Sequence, residues 1–211
     1  MSRFRDRAQA GQELAQQLQH LANRHDVIVL GLARGGVPVA AEVVGALKAP
    51  LDVFVVRKLG VPGHEELAVG AIAGGGTCVI NENVRHNLGL SDEAIARVIA
   101  VERAELRRRE TSYRGERSLS DLTGRLVVLV DDGLATGASM RAAVLALRAR
   151  QPGCIVVAVP VAPRRVCDEV AELGVEMVCL VTPAYFGAVG RFYEDFAATT
   201  DEEVRMLLDT K

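Results

Sequence analysis

Runs of nearly unbroken aliphatic residues alternate along the chain with segments of helical period. They are Val27 to Leu32, Leu51 to Val56, Leu126 to Val130, Ile155 to Val159 and Val175 to Val181. A strand that is apolar at every position has to be covered on both faces, which is the condition of a parallel sheet inside an α/β fold. The intervening segments supply the covering. Leu14, Leu18 and Leu21 share one helical face, Val37 to Leu47 reads as a small-residue helix, and Ser139 to Arg150 and Pro163 to Leu173 as two more. Ser91 is a good N-cap, with Asp92 and Glu93 in its first turn, for a long basic helix to Glu110 whose inner face is Ile95, Val98, Ile99 and Leu106. The expected fold class is therefore α/β, a parallel sheet with helices on both faces, and such sheets bind ligands beyond the carboxyl ends of their strands.

Three stretches depart from the alternation. Arg57-Lys58-Leu59-Gly60-Val61-Pro62-Gly63 carries glycine and proline where regular structure is expected to stop, so a long loop is predicted to start there. Leu67 to Ala73 and Thr77 to Ile80 flank Gly74-Gly75-Gly76 as a hairpin would. Tyr113 to Gly124 is polar and reads as a loop.

With 211 residues the chain fits one domain, 1–211, with its core at about 25–181. Lys+Arg 25 against Asp+Glu 27 gives a net charge of −2, so no general field attracts nucleic acid or an anionic membrane, and any polyanion must be gripped locally. No apolar run is long enough to cross a membrane, and the polar start at Met1 to Arg7 resembles no secretory leader, so a cytoplasmic setting is expected. Cys78, Cys154, Cys167 and Cys179 form no CxxC pair, which argues against a zinc site or a disulfide framework.

The segment Val127-Val128-Leu129-Val130-Asp131-Asp132-Gly133-Leu134-Ala135-Thr136-Gly137-Ala138-Ser139 carries the chemistry. Two carboxylates end a strand, a turn of small residues follows, and a helix begins. A tight turn without bulky side chains lets backbone N–H groups converge, and with the helix N-terminus it makes a cradle for a phosphate monoester. Thr136 and Ser139 add hydroxyls. Asp131 and Asp132 would repel that phosphate, but they can accept hydrogen bonds from a vicinal diol or hold a divalent cation through oxygen.

This segment resembles the phosphoribosyl-pyrophosphate motif of the type I phosphoribosyltransferases, and the resemblance extends from about Val27 to Val181. It implies that fold, with a small hood contributed by 82–118 and 182–211. It also implies a Mg²⁺-dependent pentosyltransferase of nucleotide metabolism that passes phosphoribose from phosphoribosyl pyrophosphate to a nitrogenous base or related acceptor and releases pyrophosphate. By the same resemblance Asp131 and Asp132 take the ribose hydroxyls and the metal, while Gly133, Leu134, Ala135, Thr136, Gly137, Ala138 and Ser139 surround the donor's pentose phosphate. Ala33-Arg34-Gly35-Gly36, after the first strand, stands where the family keeps its pyrophosphate turn, often with a non-proline cis peptide, expected here between Ala33 and Arg34. The glycines allow close approach of the anion, and Arg34 brings charge.

Arg57 and Lys58 occupy the position of the family's flexible loop, where two cations would neutralise the leaving pyrophosphate. His64, Glu65 and Glu66 follow on a segment that could fold down as a lid. Ala135 stands where some purine-type relatives carry an acid, which leaves the proton acceptor on the base side unassigned. The acceptor is expected near the aromatic-rich tail, with Tyr185 and Phe186 as stacking residues and Phe192 and Phe196, at i,i+4, as a helix packing face. Two other readings use the same pocket: a regulator that senses the donor without turnover, and a phosphoribohydrolase with water as acceptor. Dimers are common in the resembled family, so a homodimer is one assembly it allows.

Overall fold

The computed structural model describes residues 3–61, 64–115 and 117–210, with the side chains of 64–67 outside the description. The lid residues His64, Glu65 and Glu66 therefore lie outside the described side chains. Five parallel strands form the central sheet: β1 (Val27–Leu32), β2 (Leu51–Phe54), β6 (Leu126–Val130), β7 (Cys154–Val161) and β8 (Glu176–Val181), in the order β2-β1-β6-β7-β8. The remaining strands β3 (Val56–Val61), β4 (His64–Ala73) and β5 (Thr77–Ile80) make a separate antiparallel sheet.

Alternation along the buried strands sends successive side chains to opposite faces. Val27 and Val29 of β1 with Val128 and Val130 of β6 pack against α1 (Arg7–Gln17) and α2 (Gly36–Leu47). Ile28, Leu30, Val127 and Leu129 pack on the other face against α5 (Ala138–Arg148) and α6 (Arg164–Ala171). A third cluster joins the antiparallel sheet to α4 (Asp92–Arg114) and α7 (Asp201–Thr210), and a short α3 (Glu82–Asn87) precedes α4. Among the described residues no helix is long and apolar enough to cross a membrane.

The order places the turning point between β1 and β6. From β1 the chain steps outward to β2, and from β6 it steps the opposite way to β7 and β8. A crevice opens beyond the carboxyl ends of two strands that diverge in this manner.

Three expectations need correction. The stretch Arg57 to Val61 is strand β3, not loop, while Pro62 and Gly63 lie outside the described residues: the register with β4 shifts on both sides of Gly60, so a bulge there absorbs the irregular residue and pairing survives. The basic helix runs on to Arg114, because Tyr113 continues the Leu106 face into the third cluster and Arg114 is itself buried. Phe192 and Phe196 do not share a helix. Val189–Phe192 is one tight turn, Phe196 lies in irregular chain beyond it, and the terminal helix starts only at Asp201. The Gly74–Gly76 turn between β4 and β5 is as expected, with φ of 74° at Gly75 and 81° at Gly76.

Candidate active site

β6 ends at Val130 and delivers Asp131 and Asp132 to the crevice. Asp131 Oδ1 accepts the amide of Asp132 at 2.9 Å, which fixes the first carboxylate against the backbone of the second. Leu134, 3% exposed, roots the following turn in the core, and its amide donates to the Val161 carbonyl at 2.9 Å. Gly137 enters α5 at φ 70°, and a Cβ there would lie 2.8 Å from Val166, so both conformation and space call for glycine. Ala135 and Thr136, between these anchors, and Ser139, in the first turn of α5, face solvent. The amides of Ala135, Thr136 and Gly137 donate to no protein acceptor among the described residues, which is the open donor set an anion would use.

The turn after β1 sits directly against this tip. The Ala33–Arg34 peptide is cis, as expected. A Cβ on Gly35 would stand 2.0 Å from Asp132 Oδ2, and one on Gly36 would stand 2.4 Å from the Val130 carbonyl oxygen and 2.8 Å from Asp131 Cα. The two turns meet without room for a methyl group. Beside them lies a cavity of 490 Å³ lined by Arg7, Arg34, Gly35, Asp132, Val189, Phe196, Ala198 and Thr199.

Burial governs the electrostatics. It pushes the Asp131 carboxyl well above the ordinary range, helped by the neighbouring charge of Asp132. Burial raises Asp132 as well, and Arg7 opposes that rise. The Tyr193 phenol, which donates to the Asp132 carbonyl at 2.6 Å, is pushed up by its own burial and then by Asp132.

Comparison with known proteins fits this arrangement. The sequence matches the family model described as "Phosphoribosyl transferase domain" over residues 3–194. The chain belongs to the phosphoribosyl transferase family. Its domain is of the glycosyltransferase type, and its parallel sheet with flanking helices and extra antiparallel sheet is the type I phosphoribosyltransferase fold. It is 48% identical over 209 residues to two Mycobacterium tuberculosis proteins named "Putative phosphoribosyl transferase", Rv0571c and MT0597, covering 99% of this chain and 47% of each relative. The chain thus spans about half the length of the curated relatives it matches. The crystal structure of TT1426 from Thermus thermophilus is 44% identical, with a TM-score of 0.87 over 98% of this chain and 97% of that one.

Within this phosphoribosyl transferase domain, not every expected residue reaches the crevice. Arg57 and Lys58 are consecutive on β3. Arg57 Nε donates to Glu102 Oε2 of α4 at 2.6 Å, and both basic residues line a separate groove of 430 Å³ with Arg97, Val98 and Glu102. Tyr185 is 95% exposed, whereas the Phe186 ring stacks on Phe192 with centroids 5.5 Å apart. Arg34 is half-exposed and lies 3.6 Å from Asp201, whose same oxygen accepts the Tyr113 hydroxyl at 2.9 Å.

Sequence reasoning missed Arg7, Tyr193 and Asp201. Arg7 lies 125 positions from Asp132 and is one of several arginines near the start of the chain, so nothing local marks it out. For Tyr193 a signal existed, the clustering of aromatics in the tail.

Proposed function

We propose that the protein transfers the 5-phosphoribosyl group from phosphoribosyl pyrophosphate to a nitrogenous base or related acceptor, releasing pyrophosphate. The observation that carries this reading is the interlocking of the Gly35–Gly36 turn with the Asp131–Asp132 tip at the point where the sheet order diverges. The 5-phosphate takes the open amides of the Ala135–Gly137 turn, with Gly133, Leu134, Ala138 and the hydroxyls of Thr136 and Ser139 around it. Asp131 and Asp132 accept hydrogen bonds from the ribose hydroxyls. The backbone of Ala33, Gly35 and Gly36 lines the path of the pyrophosphate.

Charge develops on the leaving group as the bond to C1 breaks. Arg34, which lines the cavity beside Gly35, is placed to stabilise it. Arg57 and Lys58 complete the proposed cation set, Arg57 only by leaving Glu102. Tyr185, with its ring free in the tail, is the better placed of the two proposed stacking residues, because one face of Phe186 is taken by Phe192.

The acid pair fits Mg²⁺. Among the described residues no group of three or more His, Cys, Asp or Glu side chains could hold a metal alone. Mg²⁺, however, is commonly held by one or two carboxylates together with substrate phosphates, and Asp131 and Asp132 offer that partial set. When bound, the ion would neutralise phosphate charge; the residues' own task is to orient the pentose.

The reading includes a single phosphoribosyltransferase domain over 1–211 with hood elements at 82–118 and 182–211, a cytoplasmic setting, a place in nucleotide metabolism and a homodimer. A second reading, donor sensing without turnover, draws on Ala135, where no acid serves the base. One assay separates them: pyrophosphate release from phosphoribosyl pyrophosphate and Mg²⁺ with a panel of nucleobases. Release with one acceptor supports transfer, release without any acceptor points to a hydrolase, and donor binding with no release points to the sensor.

A further inference from the structure

The second acid of the pair is held from outside its own motif. Arg7, at the start of α1, donates from Nε to Asp132 Oδ2 at 2.9 Å, and its Nη2 lies 2.8 Å from the same oxygen. Its Nη1 donates to the Ala197 carbonyl at 2.7 Å, and the guanidinium lies 4.0 Å from the centre of the Phe196 ring. The two side chains are only 12% and 14% exposed. Asp132 Oδ1 has no protein partner among the described residues, while Asp131 Oδ1 accepts from the amide of Asp132. One oxygen of each carboxylate is committed to the protein and one is left over.

We propose that Arg7 is a positioning residue that makes Asp132 selective for pentose hydroxyls. By taking Oδ2 with two N–H groups, the planar guanidinium fixes the rotation of the carboxylate and presents Oδ1 as the acceptor for a hydroxyl. Holding α1 in place does not depend on this contact. The preceding segment is already pinned to the tail, Phe4 N to the Phe192 carbonyl and Glu194 N to the Phe4 carbonyl, both at 2.8 Å. The inference rests on the acid pair being the pentose site.

Calorimetric titration with ribose 5-phosphate and with 2,3-dideoxyribose 5-phosphate tests it, on the wild type, Arg7→Met and Arg7→Lys. Both sugars carry the phosphate, and only the first carries the diol. The wild type is expected to prefer ribose 5-phosphate about tenfold or more, the order given by hydrogen bonds to a charged acceptor. In Arg7→Met the preference falls to about threefold or less while affinity for the dideoxy sugar stays at the wild-type value. Arg7→Lys, which keeps the charge and loses the fork, falls between.

A wild-type preference retained in Arg7→Met overturns the proposal, and so does an equal loss of affinity for both sugars, which marks a merely structural role. Should Arg7→Met fail to fold, Arg7→Lys decides by the same ratio: a reduced preference supports the proposal and an unchanged one overturns it. A wild type that does not distinguish the two sugars, or binds neither, defeats the pentose-site reading itself and this inference with it.

Discussion

Replacing Gly35 by alanine probes the contact on which the site depends. The residue has φ −61° and ψ −27°, an ordinary helical conformation, so the substitution carries no backbone penalty. On that count alone it would stabilise the protein by about 0.4–1 kcal/mol. The added methyl, however, would lie 2.0 Å from Asp132 Oδ2 and 2.7 Å from its Cγ, roughly 1–1.5 Å inside van der Waals separation. Asp132 must move, and the oxygen in the way is the one held by Arg7. Overpacking costs about 1–3 kcal/mol, and weakening a part-buried ion pair adds about 1 kcal/mol or more. After the backbone gain, Gly35→Ala should lose about 1–3 kcal/mol in urea denaturation and bind the donor at least about tenfold more weakly. Gly36→Ala should lose more, because its methyl meets the Val130 carbonyl and Asp131 Cα, backbone that cannot swing aside. Wild-type donor affinity in Gly35→Ala, with stability within about 0.5 kcal/mol of wild type, would mean that the two turns do not meet as closely as the contact requires.

Other predictions follow from the same structure. Arg114, 4% exposed at its side chain, joins Asp52 at 2.7 Å and Glu110 at 2.9 Å and also bonds the Val53 carbonyl. Arg114→Met strands both acids and should cost about 3–5 kcal/mol, roughly 6–20 °C in Tm, measured by thermal unfolding. Asp131 titrates above its unfolded value, so its contribution to stability is full below about pH 3.9 and is lost as pH rises through the folded pKa. Asp131→Asn should therefore raise Tm over wild type at neutral pH, with the gain vanishing near pH 4; an equal Tm at neutral pH would contradict the assigned burial. Glu102→Gln releases Arg57, and if Arg57 serves the leaving group, KM for the donor should fall by up to about fivefold, whereas an unchanged KM argues that Arg57 belongs to the groove with α4.

What the sequence made legible was local. The β6 run, its two acids and the small-residue turn lie within one continuous segment, so hydrophobicity, charge and side-chain size specify them without tertiary knowledge. The β1 turn was readable for the same reason, and its position beside the acids followed from the sheet rule. Strand β3 was not legible, because Gly60 reads as a breaker until a partner strand accommodates it as a bulge. Tyr113 looked like loop because its partners Val204 and Leu208 come from α7, nearly the whole second half of the chain away. Arg7 and Asp201 belong to the site through contacts across the fold, and a charge near a chain end carries no local mark of its partner.

In the proposed function the acid tip and the turn behind it clasp a phosphorylated pentose. Calorimetric titration of phosphoribosyl pyrophosphate with Mg²⁺ against the wild type and the Asp131→Asn/Asp132→Asn double variant tests this most directly. Mg²⁺-dependent binding to the wild type and its loss in the folded double variant are expected; equal binding by both proteins, or none by the wild type, would rule out the acid tip as the pentose site.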